Sequence, residues 1–559
     1  MTSQRTEMVE AGNAPHLVAR LVRGYQWLAR RELLACAVIL MLTLGLRAAL
    51  LPWLPVPQPT VTDEFSHLLA ADTYAHGRLT NPTPPFWQHF ETFHVLMQPT
   101  YQSKYQPLQG MVLAFGQKLF DQPWIGVYLA AGFMCAAMCW MLQGWIAPGW
   151  ALLGALLFVM RVGILSYWMN SYLGAAVPAI GGALALGATA RIVWRGQFSH
   201  SITWAVGLAI LVLSRPFDAA VLACATAAIL LWFLLKSHTP WRTICMRVAV
   251  PALVVLVVCV AAVGYNDYRV TGSALTLPYQ TYARQYEMAS IFMMVPLSPE
   301  PAYRHAVIRQ AWADTIVRQW TGSRARPVAA LWGKLYVFDN FFFPLWVLWI
   351  PVLLCPYDLN TPQERGTVFL LLVFVLMIAP LIAILPHYAA AFAGVFYVRL
   401  VHSLTRLGSW RPWGQPVGQA LGVLLVGLLV VAFCNGVFGL VRNAKDVFPF
   451  AAGRDSISAT LALRDSAFGS ARHSVIQTLE RQPGRQLVLV RYAPGHDPQN
   501  EWVYNSSRLD TSPIVWAREM GPEEDRPFLA YFRNRRVWLL EPDQSPPKLR
   551  PYVQAASAP

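Results

Sequence analysis

Apolar runs of about 20 residues recur along the 559-residue chain, and no other feature limits its folds so strongly. A segment of that length crosses hydrocarbon as a helix, because a helix satisfies its own backbone polar groups where no water can. About eleven such runs are present, near 33–53, 123–143, 148–166, 173–190, 201–214, 217–235, 247–265, 337–356, 367–385, 388–404 and 417–440. With 55% hydrophobic and only 13% charged residues, the predicted fold class is an α-helical polytopic membrane protein. The eight cysteines all lie in or beside apolar stretches, a pattern that indicates neither a disulfide framework nor a zinc site. Residues 1–16 are polar and lack the short apolar core of a secretory signal, so the first run is expected to stay as an anchor.

The formal charge of +15 would suggest nucleic acid in a soluble protein. Here the basic residues cluster in short loops between apolar runs, which is the signature of topology, so no nucleic-acid partner is predicted. Arg20, Arg23, Arg30 and Arg31 precede the first run, Arg191 and Arg195 follow the fourth, and Lys236, Arg242 and Arg247 lie between the sixth and seventh. Arg365 precedes the ninth, and Arg406 and Arg411 follow the tenth. Eleven spans put all of these on one side, which is expected to be the cytoplasm. The expected organisation is a cytoplasmic segment 1–32, a transmembrane module 33–265 with a first outer loop 54–106, an outer loop 266–336, C-terminal spans 337–440 and an outer domain 441–559. In the second loop, "PEPAYRHAVIRQAWADTIVRQW" reads as an amphipathic helix, suited to a membrane surface, an anionic headgroup or plain solvent. Beyond residue 485, short apolar strands alternate with polar helical stretches, predicting a small α/β unit to which no catalysis is assigned.

The acidic pair Asp63 and Glu64 emerges just past the outer end of the first span, where "PWLPVPQPT" breaks the helix. "DEFSHLLAADTYAHG" then reads as a short amphipathic helix with Asp63 and His67 one turn apart. Capping explains such a pair without any chemistry, with Thr62 as the cap and carboxylates at the positive end of the helix dipole. Position supplies the alternative: a carboxylate at the membrane boundary, beside a wide outer loop, lies where a lipid-borne donor and an acceptor meet.

A first span, an acidic residue opening the first outer loop, a surface helix and many further spans together resemble the GT-C membrane glycosyltransferases. The resemblance is greatest to the protein mannosyltransferase and aminoarabinose transferase-like branch, and it rests on "DEFSHLLAADTYAHGRLTNP" and "PTYQSKYQPLQG". It implies a GT-C-like fold and transfer of a sugar from a polyprenyl-phosphate donor to a glycan, lipid or protein acceptor of the cell envelope. The expected place is the outer face of a bacterial inner membrane. It also implies that Asp63 is the general base, with Glu64 substituting for it or orienting it. The leaving phosphate needs a cation, best an arginine fork.

Several residues are candidates to bind substrate. Arg215, in "LSRPFDA", lies at an outer span end, where an interface anchor paired with Asp218 is the alternative. His387 and Tyr388 fall in the turn "LPHYAAAF"; related enzymes often carry a basic residue before this Tyr, and here it is a histidine. Lys104 and Tyr105 in "SKYQP", Arg47 near the end of the first span, and His67 complete the set. "HFETFH" brings His89, Glu91 and His94 close in sequence, but their spacing fits neither a helical zinc motif nor one face of a strand. No metal ligand set is assigned, and a divalent cation stays open as a cofactor. A transporter or flippase is the rival class, disfavoured because the spans are nearly free of charge and no internal repeat is visible. A non-catalytic membrane scaffold is the third reading.

Overall fold

The computed structural model describes residues 16–343, 361–441 and 468–552. The helix α1 (His16–Ala29) is amphipathic, and α2 (Glu32–Ala49) follows after a short break. Among the described residues six helices are long and apolar enough to cross a membrane. They are α2, Trp124–Trp145, Ala176–Arg195, Pro216–Lys236, Trp241–Thr271 and Val417–Val441. The runs near 148–166 and 201–214 form shorter apolar helices. Those near 367–385 and 388–404 fall on helices Pro362–Ile378 and Ala393–Ser409. The predicted span 337–356 begins inside helix Pro327–Phe342 and otherwise lies outside the described residues, as do residues 442–467 of the predicted outer domain. Large apolar side chains such as Val258 and Val423 face outward, as lipid contact requires.

Small residues bring the helices together. In Ala176–Arg195 the glycines at 181 and 182 let neighbouring backbone approach: a Cβ on Gly181 would lie 2.7 Å from the Gly207 carbonyl oxygen, and one on Gly182 would lie 2.1 Å from that of Ala391. The second contact seats the 3-10 turn Pro386–Phe392, which carries His387 and Tyr388.

One end of the bundle is marked by charge. Glu32, at the start of α2, pairs with Arg191 at 3.1 Å and Arg195 at 2.7 Å. Arg47, 15 residues and roughly 22 Å further along α2, reaches the carbonyls of Leu54 and Pro55 and the side chain of Asn170 at the other end.

That other end carries α3 (Thr62–Ala75) and a small sheet of β1 (Asn81–Pro82), β2 (Val95–Leu96) and β3 (Thr100–Ser103), in the order β1-β3-β2. The C-terminal unit is an α/β sheet of β4 (Arg485–Val490), β5 (Ile514–Arg518), β6 (Arg535–Glu541) and β7 (Lys548–Pro551), ordered β5-β4-β6-β7. Its first three strands are parallel and β7 is antiparallel. The unit shares one apolar core with the segment 54–106, in which Phe65, Leu69, Phe90 and Tyr101 join Leu487, Val515 and Phe528. Phe65 stacks on Tyr504 with centroids 4.4 Å apart, and Asp72 accepts from the Ser507 N–H at 2.8 Å. The terminal unit therefore sits on the same face of the bundle as α3. The predicted amphipathic helix of the second loop runs from Ala306 to Ala325, with a π-helical stretch Gln310–Thr315.

Candidate functional site

Adjacent in sequence, Asp63 and Glu64 have separate tasks. The residue before α3 is Val61, which has no side-chain acceptor, so the first backbone donors need another partner. Glu64 reaches back to accept from the N–H groups of Thr60 at 2.8 Å and Val61 at 3.0 Å, and from that of Tyr172 at 2.7 Å. It is 2% exposed, so the capping role foreseen for the pair falls to Glu64, with Val61 rather than Thr62 as the cap residue. Asp63 points elsewhere and keeps 36% of its side-chain surface open.

Around Asp63 the segment 54–106 supplies close partners. Tyr105 donates its hydroxyl to Asp63, and His94 Nε2 lies 3.5 Å from the other carboxylate oxygen. His67, one turn along α3, stacks on Tyr105 at 4.5 Å. Hydrogen bonds from Ser66 to the His94 carbonyl and between Ser66 and Ser103 fasten α3 to this loop, at 2.6 and 2.8 Å. Lys104 is buried against Glu287 at 3.0 Å, inside a cage of Tyr279, Tyr282 and Trp312.

Burial alone would raise the Asp63 carboxyl, but His94, the Tyr105 hydroxyl, Lys104 and His67 outweigh it and hold the acid well below its ordinary range. Burial, with Lys104 adding, pushes His94 down to about 3. Burial pushes His67 down to about 4, against the pull of Asp63 and with Arg215 adding. Both imidazoles are therefore neutral at pH 7, and the standing support for the Asp63 charge is the Tyr105 hydroxyl together with Lys104. Tyr105 itself is held well above its ordinary value by burial and by Asp63, so it stays a donor.

A second group faces the first. Arg215 caps the helix Pro216–Lys236; its Nε donates to Asp218 at 2.6 Å and its guanidinium lies 4.3 Å over the Tyr388 ring. Its two terminal nitrogens make no hydrogen bond within the described residues. His387 is buried, bonded through Nδ1 to Tyr167 at 3.1 Å, and pushed down to about 3 by burial and by Arg215. It is neutral at pH 7. The charges of both Arg215 and Asp63 act on His67 and His387, which places the two groups in one electrostatic field.

Asp63, His67 and Tyr105 thus form one contact cluster and Arg215, Tyr388 and His387 another, within electrostatic range of each other. Lys104 comes with them, but its ammonium is committed to Glu287 and the aromatic cage. Arg47 does not: it is fully buried and all three guanidinium nitrogens hold Leu54, Pro55 and Asn170. The three polar residues of "HFETFH" diverge. His89 meets Asp525 at 3.2 Å, Glu91 meets His305 at 3.3 Å, and His94 meets Asp63. Among the described residues no three such side chains form a metal set. Glu287 and the cage of Tyr279 and Tyr282 are the residues that sequence reasoning missed; the aromatic density of "LPYQTYARQYEM" was their signal.

The helical bundle with its small terminal α/β unit has the GT-C fold, as its likeness to solved structures shows. ArnT from Cupriavidus metallidurans, solved bound to undecaprenyl phosphate, superposes with a TM-score of 0.50 at 13% identity, over 90% of this chain and 92% of that one. The Archaeoglobus fulgidus oligosaccharyltransferase, solved with Zn and sulfate, gives 0.48 at 12% identity, over 91% of this chain and 67% of that one. No protein-family model and no curated protein matches the sequence.

Proposed function

We propose that the chain is a membrane glycosyltransferase that moves a sugar from a polyprenyl-phosphate donor onto an acceptor hydroxyl, at the membrane face carrying Asp63. The observation that carries this reading is the pairing of an open, ionised Asp63 with an Arg215 whose terminal nitrogens have no protein partner in the described structure. In the reaction the acceptor oxygen forms a bond to the anomeric carbon, the bond from that carbon to the phosphate oxygen breaks, and the phosphate leaves with the electron pair. Arg215 receives the leaving phosphate through its free fork. Asp63 accepts the hydroxyl proton.

A carboxylate held this far below its ordinary value is a weak base. That suits a late proton transfer: in an oxocarbenium-like transition state the attacking hydroxyl becomes acidic only as its bond to carbon forms. Asp63 first orients the hydroxyl as a hydrogen-bond acceptor and then takes a proton that is already loosened. A single displacement inverts the anomeric centre. The acceptor is a glycan, lipid or protein of the envelope, the face is the outer one of a bacterial inner membrane, and segments 33–265, 266–336 and 337–440 with the terminal unit form the working enzyme.

The test is transfer itself. Purified protein in nanodiscs, offered a panel of labelled polyprenyl-phosphate sugars with membrane extract as acceptor, is expected to release lipid phosphate and form a product of inverted configuration. Absence of turnover with every donor, or a retained anomeric configuration, would contradict the proposal.

A further inference from the structure

A second cavity lies on the same face, behind a partition of two tyrosines. Its volume is about 210 Å³, and its lining includes Trp87, Gln98, Gln285, Tyr286, Tyr303 and Arg304. Trp87 and Gln98 come from the first outer loop and the others from the second, so the space exists only where the two loops meet. The Arg304 guanidinium lies 4.7 Å over the Trp87 ring. Glu91, buried and also in the lining, accepts from the Tyr286 hydroxyl at 2.9 Å and from Arg304 at 3.4 Å. A chain of contacts leads from there to the acid: Tyr286 to Tyr282 at 4.8 Å, Tyr282 to His94 at 6.0 Å, and His94 to Asp63 at 3.5 Å.

We propose that this cavity binds one pyranose ring of the acceptor, making the acceptor a glycan-bearing molecule. Three features select that ligand. The aromatic side chains of Trp87, Tyr286 and Tyr303 in the lining suit the apolar C–H faces of a sugar. The side-chain amide of Gln98 and that of Gln285, whose nitrogen spends one hydrogen on the Gln98 carbonyl at 3.0 Å, still offer both donors and acceptors, which hydroxyls use and alkyl chains do not. The volume is below the roughly 300–1,000 Å³ of drug-sized sites and admits a single ring. A phosphate is a poorer match, because the one cation lining the space already faces the buried Glu91 carboxylate. Since the tyrosine partition separates the cavity from Asp63, the ring held here is a neighbour of the sugar or group whose hydroxyl is attacked. The acceptor role rests on the glycosyltransferase reading; the binding of a ring does not.

Saturation-transfer NMR on the full-length protein in nanodiscs, which avoids glycoside detergents, tests it with a panel of methyl pyranosides of gluco, galacto and manno configuration. The wild type is expected to bind at least one of them. Trp87→Ala and, as a milder change, Gln285→Ala should each weaken that binding by about fivefold or more, while Gln197→Ala, an exposed residue at the other end of the bundle, leaves it unchanged. Saturation of no pyranoside, or equal saturation in the wild type and both cavity variants, would overturn the subsite. A wild type that transfers sugar yet binds no ring would overturn the subsite alone, and one that binds a ring without transferring would overturn only the catalytic reading.

Discussion

Asp63 and Glu64 are neighbours in sequence with opposite partners, and the difference is measurable. Glu64 satisfies three backbone N–H groups from within the core. Replacing it by Gln turns a carboxylate oxygen into a donor facing donors, so Glu64→Gln should cost about 1–3 kcal/mol of stability, read as a lowered thermal midpoint. Asp63→Asn gives up the charge that the fold favours but keeps an acceptor oxygen for the Tyr105 hydroxyl and faces no backbone donor, so it should lower that midpoint less than Glu64→Gln does. The two carboxylates were equivalent on the page of sequence, because a capping acid and a reactive acid occupy the same first turn. Their partners in the fold separate them: the Tyr172 backbone, more than a hundred residues away, for Glu64, and Tyr105 with His94 for Asp63.

The histidines give the pH response. His67, His94 and His387 have folded values near 4, 3 and 3, against about 6.5 when unfolded. Between those limits the unfolded chain binds more protons than the folded one, so stability rises with pH across that window. Acidification from about pH 6.5 towards 4 should therefore lower the thermal midpoint progressively. Asp63 is depressed in the fold, so its contribution is present above the ordinary carboxylate value and is lost only at lower pH. Since none of these four groups titrates near neutrality, kcat/KM should be flat from roughly pH 6 to 8. A neutral-range step in the rate that vanishes with His387→Gln would contradict this assignment.

At the scale of elements, the site depends on close helix packing far more than on local chemistry. The 3-10 turn with His387 and Tyr388 lies against Gly182, where a Cβ would meet the Ala391 carbonyl oxygen. Gly182→Ala must push that turn outward; it should cost about 1–3 kcal/mol and lower transfer, whereas Gly427→Ala, in the helix Val417–Val441 where a Cβ meets nothing within 4 Å, serves as the control. Apolar periodicity and helix-breaking prolines made the apolar helices, α3 and the terminal strands legible in the sequence, while of the eleven predicted spans six are long and apolar enough to cross among the described residues. The parallel order of β5, β4 and β6 was legible only as an α/β alternation, because register depends on partners distant along the chain. The pairing of Lys104 with Glu287 was not legible at all: two loops 183 positions apart supply it, and each residue alone reads as a solvated charge.

For the whole molecule the account requires sidedness. Glu32, Arg191 and Arg195 mark one end of the bundle, while Asp63, Arg215 and the terminal unit occupy the other. In a background lacking native cysteines, Gln98→Cys and Gln544→Cys should react with a membrane-impermeant thiol reagent from the same side. Gln197→Cys, in the loop after Arg195, should react from the other. Labelling of Gln98→Cys and Gln544→Cys from different sides would refute the shared face.

The central claim is that Asp63, rather than its neighbour, meets the acceptor hydroxyl. The most direct measurement compares single-turnover transfer by wild type, Asp63→Asn and Glu64→Gln at a temperature where all three remain folded. The account predicts that Asp63→Asn binds donor normally but transfers about 10²–10⁴-fold more slowly, with Glu64→Gln retaining most of the rate. Wild-type turnover by Asp63→Asn would contradict it.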